Sequence, residues 1–198
     1  MTDSAEDMRR KKALLRIAAK AHRAALNPEA RRDASAALAA HGLGFLGPLP
    51  PGTIVGGFMP IGEEFSPLPL MARLHGMGCA LALPVMMGKT APLEFRAYVP
   101  GDALATAVWG IREPLANKPA VLPDIVLTAL LAFDDQGYRL GYGGGYYDRT
   151  IRMLRSVKKV TTIGVAFDQQ RIDAVPHLDY DERLDWIVTP SGALQITR

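Results

Sequence analysis

Between positions 139 and 149 the chain reads Arg139, Leu140, Gly141, Tyr142, Gly143, Gly144, Gly145, Tyr146, Tyr147, Asp148, Arg149. Four glycines in eleven residues exceed what a turn needs. Glycine collects where the backbone must take a positive φ or approach a ligand closely. Successive N–H groups in such a loop form a concavity for anions. The arginines at its two ends carry planar, permanently charged groups suited to phosphate oxygens, and Asp148 offers the hard oxygen that Mg2+ takes. The chemistry implied is a phosphate cradle with a metal ligand at its exit. A plain glycine-rich turn from a strand into a helix accounts for the glycines, but not for Arg139, Tyr146, Tyr147, Asp148 and Arg149 around them.

Three familiar signatures are missing. The chain has no G-x-x-x-x-G-K-[ST], which excludes a P-loop NTPase. It has no G-x-G-x-x-G with an acidic residue about 20 positions on, and no Cys/His cluster at zinc-ligand spacing. Cys79 is the only cysteine, so an internal disulfide is excluded. His22, His41, His75 and His177 read as structural or surface residues. The 198 residues are 48% apolar and 22% charged, the balance of a folded soluble protein. The net charge of +3 is gathered in residues 9–23 and 149–159. An anionic small molecule accounts for it without nucleic acid. With no signal-like start and no apolar run of about 18 residues, a cytoplasmic protein with no membrane partner is expected.

The elements that must position these groups can be read from periodicity and punctuation. Residues 6–26 read as a basic amphipathic helix with Leu14, Leu15, Ala18, Ala21, Ala25 and Leu26 on one face. Lys12 and Arg16, four apart, share a face of it. Asn27 and Pro28 then cap and open a second helix to about residue 40. Residues 42–52 form a Gly/Pro connection. A buried strand is expected over 53–58, followed by a loop to Phe65. Ser66-Pro67 repeats the cap-plus-proline start of a helix to about residue 75. Further strands are expected at 79–83, stopped by Pro84, at 93–98 and at 124–130, with 100–123 mostly irregular. A helix over 146–157 and strands at 160–166 and 186–189 complete the reading. Strands alternating with helices predict an α/β fold: a mostly parallel, Rossmann-like sheet with helices on both faces, a three-layer α/β/α arrangement. The expected organisation is a single domain over 1–198, with an N-terminal helical pair in residues 1–45 packed on the core.

The glycine segment closely resembles the signature of the 5-formyltetrahydrofolate cyclo-ligase family, and the likeness runs nearly the length of the chain. Lys12 to Arg16 resembles the family's N-terminal K-x-x-x-R. Residues 60–70, with Glu64 ahead of Ser66-Pro67-Leu68, resemble its acidic loop after the first strand, and Trp109 to Pro114 its W-x-I-x-x-P segment. Residues 123–127, Phe133-Asp134 and 137–141 match the run into the signature. Residues 166–170, Val175-Pro176 and 181–185 match its C-terminal part.

The resemblance implies ATP-dependent closure of 5-formyltetrahydrofolate to 5,10-methenyltetrahydrofolate, with Mg2+ as cofactor and MgATP and the folate as partners. It implies that Lys12, Arg16, Arg139, Gly141, Tyr142, Gly143, Gly144, Gly145, Tyr146 and Asp148 bind ATP, and that Arg139, Tyr146 and Tyr147 serve the chemistry. Asp148 and Asp181 would hold the metal, with Asp179 and Glu182 as neighbouring alternatives to Asp181. Glu64 would accept hydrogen bonds from the pterin, and Met59, Met86, Trp109, Tyr146 and Tyr147 would line the folate pocket. A monomer is expected, a homodimer being the other arrangement. Some members carry lysine at Gly144 and arginine at Tyr142, so a weaker electrostatic grip on ATP is expected here. A non-catalytic nucleotide- or folate-binding member of the same fold is the alternative. A sugar-phosphate isomerase or acyl-CoA transferase of similar architecture would not need the retained Lys12, Arg16 and the 139–149 segment.

Overall fold

A computed structural model of the chain describes residues 4–197; residues 1–3 and 198, the ends of the expected domain range, lie outside them. Helix α1 (Ala5–Ala24) begins at Ser4, whose hydroxyl accepts the Asp7 N–H while the Asp7 carboxylate accepts the Ser4 N–H. This reciprocal cap satisfies two of the donors a helix start leaves open. Helix α2 (Pro28–His41) starts as expected, with the Asn27 side chain accepting the Glu29 N–H at 2.8 Å. There follow β1 (Ile54–Gly56), α3 (Leu68–Gly76), β2 (Ala80–Met86), β3 (Leu93–Tyr98), β4 (Leu104–Thr106), β5 (Arg112–Pro114), β6 (Ile125–Thr128), β7 (Ala132–Phe133), β8 (Arg139–Leu140), α4 (Tyr146–Val157), β9 (Thr161–Val165), β10 (Trp186–Thr189) and β11 (Gly192–Gln195).

The main sheet has the order β11-β10-β9-β6-β1-β2-β3. Its five central strands run parallel, and antiparallel β11 and β3 close the two edges. Alternate residues serve opposite faces. Val55, Leu81, Leu83, Leu127, Ile163 and Val188 pack with Leu38 of α2 and Leu70, Met71 and Leu74 of α3. On the other side Ala82, Phe95 and Val126 meet Leu154, and Ile187 meets Ile151, both from α4. The fold is the expected mostly parallel three-layer α/β/α arrangement.

The two N-terminal helices go to different places. α2 joins the face of α3, whereas Leu15 and Ala19 of α1 pack on Leu131, Ala132, Leu140 and Val175, beside the β7–β8 hairpin. Leu14, expected on the packed face, is 61% exposed. The side chains that α1 buries are Lys12 and Arg23. An apolar stripe drawn through Leu14 is therefore wrong, because the buried face is held by charges as much as by hydrocarbon.

Other expectations also change. Pro84 does not stop β2. Even-numbered residues of β2 bond towards β1, as the Ala80 N–H to Thr53 carbonyl and Gly57 N–H to Ala82 carbonyl bonds show. β1 ends at Gly56, so the donor that proline lacks has no partner to miss. The stretch 100–123 holds the β4–β5 hairpin. Helix α3 starts from Pro67 with no side-chain cap, so Ser66 is not its cap.

Candidate functional site

The carboxyl ends of the parallel strands carry the candidate residues, the edge at which open α/β sheets bind ligands. Met59 and Glu64 follow β1, Met86 ends β2, and residues 129–131 follow β6. The β7–β8 hairpin brings Arg139 to this edge and leads into the glycine loop, which ends at the N-terminus of α4. A helix N-terminus presents open N–H groups and positive potential to an anion.

The loop's glycines have specific causes. Gly143 has φ +104°, and a methyl there would stand 3.3 Å from the Arg16 guanidinium carbon. Gly145 caps α4 in the left-handed region, at φ 65° and ψ 13°. A methyl at Gly144 would come within 2.7 Å of the Tyr146 ring. The loop is thus squeezed between α1 and the first turn of α4.

Cations from α1 hold it there. Arg16 Nε donates to the Gly141 carbonyl at 2.9 Å. Lys12 Nζ lies 2.5 Å from Asp181 Oδ2, which also accepts the Leu178 N–H. A guanidinium N–H of Arg23 donates to the Tyr142 hydroxyl at 2.6 Å. Positions 12, 16 and 23 fall on one stripe together with Leu15 and Ala19. Arg23 was not singled out from the sequence, although that spacing carried the signal; its charge was counted only as part of a basic face.

Glu64 is 8% exposed. One of its oxygens accepts the Ile61 N–H at 2.9 Å. Burial pushes its pKa up from the ordinary value, against the Ile61 hydrogen bond, the nearby Tyr142 hydroxyl and the charge of Arg23. The Tyr142 hydroxyl is pushed up to about 12, first by burial and then by the Glu64 charge. It therefore keeps its proton at any physiological pH.

Buried Arg139 and half-buried Asp148 form an ion pair at 2.8 Å. Asp148 Oδ1 also accepts the Glu182 N–H at 3.1 Å, while Arg139 donates to the Glu182 carbonyl at 2.9 Å. Asp148 is thereby brought against the residue next to Asp181. The Glu182 carboxylate is taken by Arg152 and Arg155 at 3.0 and 2.9 Å, and Asp179 is exposed. Among the described residues, no group of three or more His, Cys, Asp or Glu side chains is placed to hold a metal ion. The donor set of Asp148 and Asp181 does not make an all-protein cage. Two carboxylates completed by phosphate oxygens and water are a usual Mg2+ set; here Asp148 is paired with Arg139 and Asp181 with Lys12, so a metal would have to displace or share those cations.

The aromatic candidates are dispersed. Tyr146 leads α4, with the Arg149 guanidinium 5.0 Å from its ring centroid. Arg149 is fixed by the Lys89 and Ala91 carbonyls. Tyr147 packs between Phe133 and Ile151 on one side and Val126 and Leu154 on the other. Its hydroxyl is raised by burial and stays protonated. Trp109 stands 74% exposed at the tip of the β4–β5 hairpin with φ 59°. The structure does not bring it to the glycine loop by any ring or hydrogen-bond contact. Met59 is half-buried against the main core. Met86 is half-buried too, its N–H donating to Glu113. His177 stacks on Tyr138 at 3.6 Å, a structural contact.

Fold and site together define a doubly wound α/β protein with a glycine-built loop, held by cations of α1, at the carboxyl edge of its sheet. The 5-formyltetrahydrofolate cyclo-ligase family model matches residues 8–190. The 5-formyltetrahydrofolate cyclo-ligase of Mycolicibacterium smegmatis is 32% identical over 158 residues, covering 74% of this chain and 78% of that one. That of Escherichia coli K12 is 36% identical over 139 residues, covering 68% and 76%. Among solved structures, the 5,10-methenyltetrahydrofolate synthetase of Aquifex aeolicus superposes with a TM-score of 0.75 at 28% identity, covering 94% of this chain and 93% of that one. The chain belongs to the 5-formyltetrahydrofolate cyclo-ligase family, a family of enzymes.

Proposed function

We propose that the protein catalyses the ATP-dependent cyclisation of 5-formyltetrahydrofolate to 5,10-methenyltetrahydrofolate, releasing ADP and phosphate. One observation carries this reading beyond family membership. Arg16 and Arg23 of α1 donate to the Gly141 carbonyl and the Tyr142 hydroxyl of the glycine loop, Lys12 of the same helix face meets Asp181, and the buried Glu64 carboxylate lies near enough to Tyr142 for each to shift the other's proton affinity. The chain thus sets an anion cradle beside an acceptor suited to pterin N–H groups.

The chemistry explains why a nucleotide is consumed. A formamide carbonyl is a weak electrophile, and its oxygen leaves poorly. In the proposed sequence the formyl oxygen attacks the γ-phosphorus of ATP and ADP departs. The N5 iminium phosphate then accepts N10 at its carbon, N10 gives up its proton, and phosphate leaves with the former formyl oxygen. The protein contributes position and charge. N–H groups of 141–145 and the start of α4 receive phosphate oxygens, and Arg139 with Lys12 and Arg16 stabilises charge developing on the transferred group. Glu64 accepts pterin N–H groups, fixing the distance between the formyl oxygen and the γ-phosphate. Met59, Met86, Tyr146 and Tyr147 would meet the folate in this reading, and Trp109, 74% exposed on its hairpin, would add its ring from outside the glycine loop. Asp148 and Asp181 would hold Mg2+, which supplies neutralisation of phosphate charge.

The proposed unit is a single domain over 1–198 that works as a soluble cytoplasmic monomer. No described helix is long and apolar enough to cross a membrane. Purified protein mixed with 5-formyltetrahydrofolate and MgATP should show the rise in methenyl absorbance, with ADP formed in equal amount. No rise with folate binding intact would leave a non-catalytic binding protein in its place.

A further inference from the structure

Glu113 lies on β5 and is 8% exposed. The proposed reaction leaves this buried carboxylate without a task. One of its oxygens, Oε1, accepts the Met86 N–H at 3.1 Å, and that bond fixes its place. Even-numbered residues of β2 turn their N–H groups towards β1, and β1 ends at Gly56, opposite Ala82. Four residues further along, the Met86 N–H meets Glu113 where a longer β1 would have supplied a carbonyl. The side chain reaches there from the β4–β5 hairpin. It stands at the carboxyl edge of the sheet, on the side of β2 from which the chain leaves towards Met59 and Glu64.

The second oxygen, Oε2, has no protein partner. Among the described residues no hydrogen bond or ion pair reaches it. The buried side-chain atoms that lack a partner are Arg23 Nε and Arg31 Nη1, and Oε2 is not one of them. It is therefore the open side of an otherwise buried carboxylate. Arg112, the preceding residue of β5, is exposed, and successive residues of a strand face opposite ways. A buried carboxylate without a facing cation is costly. When ionised it can only accept, so what completes it is a hydrogen-bond donor from outside.

We propose that Glu113 is a further folate-binding residue, whose Oε2 accepts an N–H group of 5-formyltetrahydrofolate while Oε1 holds the end of β2. The proposal rests on the cyclo-ligase reading and deepens it. The folate carries N–H donors on its pterin, at N10 and at its benzoyl amide. Glu64, with one oxygen on the Ile61 N–H, cannot take them all. The phosphates of ATP are anions and acceptors, which a carboxylate repels. Met86 then joins the two parts, since its backbone is held by the group that its side chain would accompany on the folate.

The test uses full-length Glu113→Gln and Glu113→Ala. Tm is recorded for each, and binding of 5-formyltetrahydrofolate is measured by titration calorimetry without nucleotide. In the free Gln variant the amide oxygen keeps the Met86 N–H, and the amide NH2 points outward. A folate N–H then meets a donor, or the amide turns and strips Met86 of its acceptor. Either way folate binding should weaken roughly 10- to 100-fold, the loss expected for a hydrogen bond to a charged group. Tm should be held and MgATP affinity should hardly change. In turnover, KM for the folate should rise by the same factor. Glu113→Ala loses both contacts, so its Tm should fall along with its folate affinity. Unchanged folate affinity in Glu113→Gln overturns the proposal. Equal losses of folate and MgATP affinity with a lowered Tm make Glu113 only a tie for β2, and overturn it too. Weakened folate binding in Glu113→Gln, with no turnover in the unaltered protein, overturns the catalytic reading and leaves this contact standing.

Discussion

Asp148 holds structural contacts and is also the proposed Mg2+ ligand, and substitutions can separate the two roles. It pairs with Arg139, whose side chain is only 4% exposed, and it accepts the Glu182 N–H. Asp148→Ala leaves Arg139 buried and short of its counter-charge, a loss of about 3 kcal/mol or more. Asp148→Asn keeps an acceptor for the Glu182 N–H and should cost less stability. Both should lower turnover about 100-fold or more if the carboxylate is the Mg2+ ligand. A thermal scan beside the absorbance assay distinguishes the two effects. An Asn variant with full turnover would remove Asp148 from the metal role.

Glu64 gives a pH prediction of the opposite character. Its carboxyl is raised by burial above the ordinary glutamate range. A carboxyl raised on folding binds its proton more tightly in the folded state, so its contribution to stability falls as pH rises through the interval between the two values. Glu64→Gln removes that dependence. The Tm of the variant minus that of the unaltered protein should increase from about pH 4 to pH 7, while folate KM rises. A constant difference across that range would mean that the carboxyl is not raised.

At the scale of elements, the glycine loop is fitted to its neighbours, and this limits what can be engineered into it. A lysine at Gly144 has to begin with a Cβ 2.7 Å from the Tyr146 ring. Gly144→Lys should therefore fail to tighten ATP binding and should lower kcat by displacing Tyr146. A tighter ATP KM with kcat retained would show that the ring can yield. Gly145→Ala adds a left-handed alanine, at a cost of about 1 kcal/mol, and presses on Arg149.

The glycine loop was legible in sequence because positive-φ and close-approach positions demand glycine, and the shared face of Lys12 and Arg16 because residues four apart on a helix project together. The strands were legible where apolar runs were continuous, as at 125–128. The β4–β5 hairpin was not legible, because three-residue strands among prolines give no period. Pro84 misled because a missing donor matters only where a neighbouring strand exists, and strand order is not written locally. Arg23 was missed because a buried cation has the same local pattern as a solvated one. Only its long-range partner Tyr142 distinguishes it.

At the scale of the whole molecule, α1 acts as a clamp whose hold is mainly electrostatic. It leaves Leu14 and Ile17 exposed and contributes Leu15 and Ala19 to the interior. Its anchoring groups are Lys12 on Asp181, Arg16 on the Gly141 carbonyl and Arg23 on Tyr142. An element with few buried apolar contacts opens at low free energy. If Lys12 and Arg16 reach nucleotide phosphates, MgATP adds two charge-assisted bonds of about 1.5–3 kcal/mol each before compensation for those they replace. Amide hydrogen exchange in α1 should then slow by roughly 10- to 100-fold on adding MgATP. Exchange in α2, which is held by Leu38 against α3 and the sheet, should hardly change. Lys12→Ala should raise the ATP KM about tenfold, leave kcat closer to its original value, and reduce the slowing. Unchanged α1 exchange at saturating MgATP would mean that the phosphates sit on the glycine loop without the helix, and Lys12 and Arg16 would then be structural ties only.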